Sequence, residues 1–307
     1  MNMPKKHKVK AINVYWWRVR EGKGNFGDEL SPYLISKLTG RPINQILIPS
    51  SGHDYFYKAI SQIYHKVIPL KYIPLLIKQY FIQEFIAGIG SIISILNKSS
   101  CHVWGSGIIK IDDKINPAHF HAVRGKYTQI RLNELNLSVP SALGDPSLLL
   151  PIVYKPQINK THKIGIIPHH IHYNDVSMKI KDHNVKVINL LDDIETIIDE
   201  INKCEYIIST SLHGIIVPQA YGIPSLWFTY DEKPLFGDNI KFYDYFSSVG
   251  IVEYLPFKLI PEQLNKDVII NLFKKYSKYS KINKPLIQIQ KELINAAPFA
   301  ILDKYMI

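Results

Sequence analysis

Short apolar segments alternate with helix-like segments along most of the chain, and this alternation limits its possible folds more than any other feature. Four apolar segments precede residue 155 and four follow residue 162. The predicted strands are 11–17, 81–87, 102–104 and 120–123, then 163–167, 185–188, 206–208 and 225–228. Strands that alternate with helices form parallel sheets with both faces covered. The pattern therefore predicts an α/β protein with two doubly wound, Rossmann-like domains that face a cleft.

Length and composition predict where the domains begin and end. A chain of 307 residues suits two domains of ordinary size. The polar, proline-containing stretch 154–162 is the predicted linker. We therefore predict an N-terminal domain over 1–155, a C-terminal domain over 162–282 and a helical tail over 283–307.

The cysteines and the lack of long apolar runs predict a cytoplasmic protein. Cys101 and Cys204 lie in or beside apolar strands, which is typical of buried thiols in a reducing compartment. Residues 1–10 are basic, but no apolar stretch long enough for a signal peptide follows them. No apolar run reaches the roughly 18 residues of a transmembrane helix.

The net charge of +11 indicates a negatively charged partner. The positive charge is scattered along the chain, and no zinc-finger or RNA-binding motif is visible. We therefore expect a membrane surface or a phosphorylated ligand and no nucleic acid.

Residues 55–85 mix aromatic and aliphatic side chains with basic ones and contain one acid, Glu84. The lysines of this segment are Lys58, Lys66, Lys71 and Lys78. One interpretation is a helical hairpin that packs on the core and exposes a basic face to solvent. The other is an amphipathic surface that rests on anionic lipid headgroups, with these four lysines as the membrane contacts.

The stretch from Ser209 to Gly214 contains the most informative candidate site residue, His213. It follows a predicted strand, and His213 stands where the next helix begins. Free backbone N–H groups and the positive end of the helix dipole make such a turn an anion site. A histidine there can bind a phosphate or carboxylate or move a proton. The alternative is a histidine that only caps the turn.

Charged residues follow other predicted strands. Asp28 and Glu29 lie in the first turn of a helix, where they either cap it or supply a general base for a sugar hydroxyl. Arg124 either grips a carboxylate or phosphate or forms a surface ion pair. Asp145 is interpreted as a helix cap.

Three histidines, His169, His170 and His172, follow the strand at 163–167. No cysteine or acid lies nearby at the usual spacing of metal ligands, so we predict no metal site. Their position at the end of a strand favours contact with a ligand instead.

In this order, these motifs resemble the polysaccharide pyruvyltransferase family, particularly its bacterial exopolysaccharide ketal-pyruvate transferase branch. The matching blocks are GNFGDEL at 24–30, WGSGI at 104–108, VRGKYT at 123–128, GDPSLLLP at 144–151, GIIPH at 165–169, STSLHG at 209–214 and the stretch 238–250. The resemblance spans residues 11 to about 250. Many relatives have an arginine where this chain has Ser211, and the stretch 55–85 matches no block of the family.

The resemblance implies a fold of the GT-B type and a reaction. Pyruvate from phosphoenolpyruvate is placed as a cyclic ketal across two hydroxyls of a sugar, phosphate is released, and no cofactor is required. The acceptor would be a lipid-linked repeat unit of an exopolysaccharide, capsule or lipopolysaccharide, at the cytoplasmic face of the bacterial inner membrane. The protein would then be peripheral there, with the acceptor on the N-terminal domain and the donor on the C-terminal one.

The resemblance also implies roles for single residues. The implied catalytic residues are His213 as acid, Asp28 as base and His169 as a second donor near the acceptor. The implied donor-binding residues are Arg124, Ser211, His213, Gly105, Ser106 and Gly107. The implied acceptor-binding residues are Asn25, Asp28 and Glu29.

Two other functions remain open. The first is a GT-B glycosyltransferase with a nucleotide-sugar donor, whose ribose Asp231 and Glu232 would bind. The second is a catalytically inactive, membrane-associated assembly protein of a surface-polysaccharide system, which Ser211 in place of arginine would suit.

Overall fold

Two parallel sheets follow one another along the chain. The computed structural model describes residues 10–18, 24–82, 84–180, 182–230 and 234–307. Within these ranges the first sheet has six strands and the second has five. The predicted α/β class with two parallel sheets is confirmed, whereas the GT-B arrangement stays a prediction.

The first sheet has its switch point beside its first strand. Its strands are β1 (Ile12–Tyr15), β2 (Ile43–Ile46), β3 (Phe85–Ala87), β4 (Cys101–Trp104), β5 (His119–Val123) and β6 (Ala142–Leu143). The accompanying helices are α1 (Phe26–Thr39), α2 (Gly52–Tyr64), α3 (Ile73–Tyr80), α4 (Lys126–Glu134) and α5 (Leu150–Val153). The spatial order is β2-β1-β3-β4-β5-β6, all parallel. The order reverses between β1 and β3, and open α/β sheets bind ligands beyond the carboxyl ends of the strands at such a point.

The second sheet repeats this winding. Its strands are β7 (His162–Ile167), β8 (Val185–Val187), β9 (Cys204–Ser209), β10 (Ser225–Thr229) and β11 (Phe257–Lys258). The helices from here on are α6 (Tyr173–Lys179), α7 (Ile194–Asn202), α8 (His213–Ala220), α9 (Ile240–Val249), α10 (Lys266–Tyr276) and α11 (Leu286–Asn295). The spatial order is β11-β10-β9-β7-β8, so the switch point lies between β7 and β9. Short 3₁₀ helices occur at Leu70–Tyr72, Ile93–Ile95, Pro146–Leu149, Pro261–Gln263, Ser277–Tyr279 and Asp303–Tyr305.

Edge strands account for the differences between the predicted and observed strands. All eight predicted strands overlap a strand of the structure. The prediction missed β2, β6 and β11, which lie at sheet edges and are only partly buried. Edge strands of this kind lack the continuous apolar run of a central parallel strand. The strand predicted over 81–87 is shorter than expected and begins only at Phe85. Phe81 and Ile82 instead belong to the turn after α3, where the Ile82 N–H donates to the Gln79 carbonyl.

The helical tail packs on the N-terminal half of the molecule. The indole Nε1 of Trp104 donates to the carbonyl of Leu293 at 2.9 Å, and the Gln290 amide donates to the carbonyl of Leu148 at 2.8 Å. Both bonds are buried. Helix α11 therefore crosses from the second sheet back to the first and ties the two halves together.

Residues 52–80 form a helical hairpin, α2 and α3, with a small core of its own. Five buried side chains form that core: Ile48, Tyr55, Ala59, Ile68 and Leu76. The Tyr55 hydroxyl donates to the carbonyl of Leu76 at 2.7 Å, which joins the two helices. Across the described part of the chain, none of the helices combines the length and the apolar character needed to cross a bilayer.

Candidate functional site

A cavity of about 560 Å³ lies where the two switch points meet. The first half contributes Asn25, Asp28, Gly90 and Ser91, and the second half contributes His169, Ser211, His213 and Lys241. Asn25 and Asp28 follow β1, Gly90 and Ser91 follow β3, and the second set follows β7 and β9 or begins α9. The carboxyl ends of both sheets therefore build one cavity, where this fold class binds its ligands.

His213 begins α8, as the sequence predicts, and it is oriented by a buried carboxylate. Its Nε2 lies 3.5 Å from Oδ2 of Asp145, which is completely buried. The other carboxylate oxygen of Asp145 accepts hydrogen bonds from the backbone N–H and the hydroxyl of Ser147. The predicted capping role of Asp145 is thus confirmed, but sequence reasoning missed its contact with His213.

The environment keeps Asp145 ionised. Burial alone would raise the pKa of Asp145, but the contacts with His213 and Ser147 outweigh burial and hold this pKa below its ordinary value. A buried carboxylate beside a histidine orients an imidazole that can transfer protons, and the His213 ring lines the cavity. His213 and Asp145 therefore form an oriented acid–base pair.

The other side of the His213 ring packs on Gly27. A Cβ atom at position 27 would lie 2.1 Å from Nδ1 of His213, closer than any real contact. The glycine in the first turn of α1 is therefore required by the close approach of a ring from the second half of the molecule.

Asp28 titrates near neutral pH. Burial raises the pKa of Asp28 to about 7; the charges of His213 and Lys241 lower this pKa in part, and the charge of Glu29 raises it. A carboxyl group with a pKa near the operating pH can both accept and release a proton. Such perturbed groups cluster at functional sites.

Lys241 is the cation that the second half presents to this cavity. Burial, together with the charge of Arg124, lowers the pKa of Lys241 to about 8, and the charge of Asp28 opposes this shift. Lys241 is therefore mostly protonated at neutral pH. Sequence reasoning gave it no role, because its only signal is a place within the block 238–250.

Arg124 does not line the cavity, contrary to the prediction. The side chain is fully buried, its Nε lies 3.0 Å from Oδ2 of Asp244, and its other nitrogens donate to the Ser91 hydroxyl and the Ile108 carbonyl. Its other predicted role, a surface ion pair, is also wrong, because the pair with Asp244 is buried. The pair joins the two halves of the molecule, and Arg124 contacts the cavity lining through the Ser91 hydroxyl.

The predicted donor contacts Gly105, Ser106 and Gly107 also lie behind the cavity wall. The Ser106 hydroxyl is buried and donates to the carbonyl of Gly90 at 2.8 Å. Gly105 has a φ of +90° and packs on Pro146, while a Cβ atom at Gly107 would lie 2.6 Å from the Arg124 guanidinium. Only glycine fits the close approaches of residue 105 to Pro146 and of residue 107 to Arg124. These residues therefore support the cavity wall from behind.

His169 and Ser211 line the cavity, as the predicted site requires. Burial lowers the pKa of His169 to about 3, and positive charge on His170, Lys241 and His172 acts in the same direction. His169 is therefore neutral at physiological pH. It can accept or donate a hydrogen bond but cannot act as a cation.

The predicted acceptor residues divide between two faces. The side-chain oxygen of Asn25 is buried at the cavity and has no hydrogen-bond partner among the described residues. Glu29 instead forms an ion pair with Arg18 at 3.1 Å and lines a different cavity with Tyr33. Glu29, a predicted acceptor-binding residue, therefore does not line the cavity that contains Asp28.

Comparison with known proteins adds a family match. The family model described as polysaccharide pyruvyl transferase matches residues 25–232. This range includes Asp28, Asp145, His169 and His213 but not Lys241. An uncharacterized protein of Acanthamoeba polyphaga mimivirus is 32% identical over 225 residues, which cover 71% of this chain and 77% of that protein. No solved structure matches the chain.

Proposed function

The chain belongs to the polysaccharide pyruvyl transferase family, and from this premise we propose that it transfers pyruvate from phosphoenolpyruvate to a sugar of a surface-polysaccharide repeat unit. The product is a cyclic ketal, and phosphate is released. One observation carries the proposal: a single cavity contains a carboxyl group with a pKa of about 7, an oriented histidine and a lysine.

The donor carries a carboxylate and a phosphate, and the second half of the cavity suits both groups. Lys241 supplies a positive charge, and His213 begins the eight-residue helix α8, whose first N–H groups lack intrahelical partners. Ser211 adds a hydroxyl to the same wall. Lys241 thereby takes the cationic role that the sequence prediction assigned to Arg124.

The proposed reaction needs one acid and one base. In the first step, Asp28 takes the proton of a sugar hydroxyl as the hydroxyl oxygen bonds to carbon 2 of the donor, and His213 protonates carbon 3. In the second step, the bond between carbon 2 and the phosphate oxygen breaks, and phosphate leaves with the proton of Asp28. The second hydroxyl then closes the ketal and returns a proton to His213. Both residues end in their starting states.

The pKa of Asp28 predicts the pH dependence of this reaction. Asp28 must be ionised to act as base, so kcat/KM is expected to fall about tenfold per pH unit below pH 7. Asp28→Asn should abolish this fall in kcat/KM below pH 7, together with most of the activity. The variant should melt at an equal or higher temperature at pH 8, because the amide removes a buried ionised carboxylate. If kcat/KM of Asp28→Asn still falls in the same way below pH 7, the titration belongs to another group.

The close packing of Gly27 on His213 gives a second prediction. Gly27→Ala is expected to lower the transfer rate about 10²-fold, because a methyl group there displaces the imidazole from its position. The melting temperature should change little, since the atoms that move belong to a side chain at the cavity. A crystal structure of the variant checks the cause. An unmoved His213 with an unchanged rate contradicts the proposed role of this contact.

The reaction is tested directly with purified protein, phosphoenolpyruvate and synthetic lipid-linked galactosides, glucosides and mannosides. Phosphate release and an acceptor mass gain of pyruvate less water, both lost in Lys241→Met, are the expected result. The alternative glycosyltransferase predicts stabilisation by nucleotides and no response to phosphoenolpyruvate, and the family match does not favour it. Asp231 and Glu232, its predicted ribose contacts, lie outside the described residues. An inactive assembly protein predicts that substituting His213 leaves the cell's polysaccharide unchanged.

A lipid-linked acceptor requires the protein to work beside a membrane, and the hairpin offers a surface for this. We define the hairpin surface as the exposed apolar side chains Phe56, Ile60 and Tyr64 of α2 and Ile73, Ile77 and Phe81 on or beside α3. Each set recurs at every fourth residue, which places it along one helix face. The rings of Phe56 of α2 and Tyr80 of α3, 4.8 Å apart, bring the two helices together. An exposed apolar patch of this kind marks an interaction site.

Three of the four predicted membrane lysines suit this surface. Lys66, Lys71 and Lys78 are exposed on the hairpin. Lys58 instead lies 2.8 Å from the Asp54 carboxylate and donates to the Ser50 hydroxyl. For this reason we leave Lys58 out of the proposed lipid contacts. We propose that the hairpin surface rests on anionic lipid at the cytoplasmic face of the inner membrane.

Liposome binding tests this placement. The triple variant Lys66→Gln, Lys71→Gln and Lys78→Gln is expected to bind vesicles containing anionic lipid about 10²-fold more weakly, at about 1 kcal/mol per lysine. A control triple variant carries Lys274→Gln, Lys281→Gln and Lys291→Gln on other exposed elements. It removes the same charge and should bind nearly as well as the unaltered protein. Equal loss in both triples, or no binding by the unaltered protein at physiological salt, contradicts the proposal.

A further inference from the structure

A second cavity, of about 410 Å³, lies between the carboxyl ends of β1 and β2 and the helical hairpin. Its walls include Trp16 and Trp17 after β1, Gln45 of β2, and Gln62 and Tyr72 of the hairpin. Trp17 also lines the cavity that contains Asp28 and His213. The two cavities therefore adjoin at one exposed aromatic ring.

Among the described residues that line this second cavity, the polar side chains are neutral except for Arg18. Gln45 and Gln62, whose side-chain amides are neutral, both line it. The indole Nε1 of Trp16 is buried and has no hydrogen-bond partner among the described residues. Arg18 is the one charged residue of the described lining, and its guanidinium lies 3.1 Å from the Glu29 carboxylate. The described lining therefore offers little net positive charge to an anion such as the donor.

The shape and chemistry of the lining suit a sugar ring. Trp17, which is about half exposed (49%), and Tyr72 of the hairpin, which is partly buried, both line the cavity. Aromatic rings pack against the C–H face of a sugar, while amide and indole groups bond to its hydroxyls. A hydrocarbon chain would leave these polar groups unpaired, which disfavours it.

We propose that this cavity binds a neutral sugar of the acceptor chain, adjacent to the sugar that receives pyruvate. This inference rests on the proposed function, because it takes the first cavity as the site of pyruvyl transfer. It makes the enzyme selective for an oligosaccharide over a single sugar. Trp17 is the boundary between the reacting sugar and its neighbour.

Tryptophan fluorescence tests binding without any turnover. The chain has four tryptophans, and Trp104 and Trp227 are buried and do not line this cavity. A response to sugar therefore reports on Trp16 and Trp17. The full chain is titrated, without donor, with neutral tetrasaccharides of glucose, galactose and mannose. We expect a saturable change with at least one of them, weakened about tenfold in Gln62→Ala.

Matched variants separate a local effect from a general one. Gln288→Ala makes the same chemical change on exposed helix α11 and should leave the titration unchanged. Trp16→Phe keeps a ring but removes the unpaired indole N–H, so it should weaken binding as Gln62→Ala does. The inference is overturned if no tetrasaccharide gives a saturable response or if Gln62→Ala binds as the unaltered protein does. A response to a short isoprenyl phosphate but to no sugar also overturns it.

Kinetics distinguish failure of this inference from failure of the proposed function. Gln62→Ala should raise KM for a tetrasaccharide acceptor about tenfold and leave KM for a monosaccharide glycoside unchanged. If both acceptors respond alike, the second cavity is not a subsite, although pyruvyl transfer stands. If sugars bind but phosphoenolpyruvate gives no phosphate with any acceptor, the proposed reaction is wrong and the sugar site remains.

Discussion

Replacing His213 by glutamine is expected to lower the rate of pyruvyl transfer by about 10²–10⁴-fold, the usual contribution of a positioned acid or base. Glutamine retains hydrogen-bonding groups near Asp145 but cannot carry a proton to carbon 3 of the donor. The free energy of unfolding should change little, because the side chain lies at a cavity and keeps about one tenth of its surface (12%) exposed. The measurement is kcat from phosphate release, with the melting temperature beside it.

A neighbouring histidine supplies the control for this variant. His170 follows the same strand as His169, is exposed and does not line the cavity. His170→Gln makes the same chemical change and should keep nearly full activity. Asp145→Asn should lower the rate as well, because Asp145 acts through His213, and it should shift the pH profile. If His213→Gln retains more than about one tenth of the activity, proton transfer by His213 is ruled out.

Replacing Asp244 by alanine is expected to cost about 3–5 kcal/mol of the free energy of unfolding, since it leaves the charge of Arg124 buried without its partner. Both side chains of this pair are completely inaccessible to solvent. Asp244 also accepts hydrogen bonds from the backbone N–H and the hydroxyl of Thr128 at the start of α4. The substitution therefore removes several buried bonds between the two halves at once.

Urea and thermal unfolding measure this loss, and an exposed ion pair supplies the control. Lys37 and Glu195 also join the two halves, at 2.9 Å, but both side chains are about 40% exposed. Glu195→Ala should therefore cost less than about 1 kcal/mol. Equal losses in the two variants would mean that burial does not set the strength of the Arg124–Asp244 pair.

Asp244→Ala also tests how Arg124 contributes to the site. If the Arg124–Asp244 pair supports the cavity wall without contacting the donor, the folded fraction of Asp244→Ala should keep its KM for phosphoenolpyruvate within about threefold. A much larger rise in KM would mean that the pair takes part in donor binding. Arg124→Lys is a second variant for the same question. Lysine keeps the positive charge but lacks the planar guanidinium that bonds to Asp244, Ser91 and Ile108 at once.

The local pattern of the sequence determined the fold class and the place of the main site residues. Apolar runs alternating with helical periods specify parallel strands, and their carboxyl ends are where ligands bind in such sheets. His213 could be placed at the start of α8, and Asp28 in the first turn of α1, because both positions depend only on neighbouring residues. The edge strands were missed because their side chains are not continuously buried.

Only the tertiary structure decided what each charged residue does. Asp244 lies 120 residues from Arg124, and the contact between them turns a predicted ligand clamp into a buried pair. Burial sets the pKa of Asp28, and Lys241 faces the cavity through the packing of α9. The periodicity of the sequence specifies strands and helices, because a strand or helix depends on residues only a few positions apart. The burial of a charged side chain and the identity of its partners depend on segments that meet only after folding.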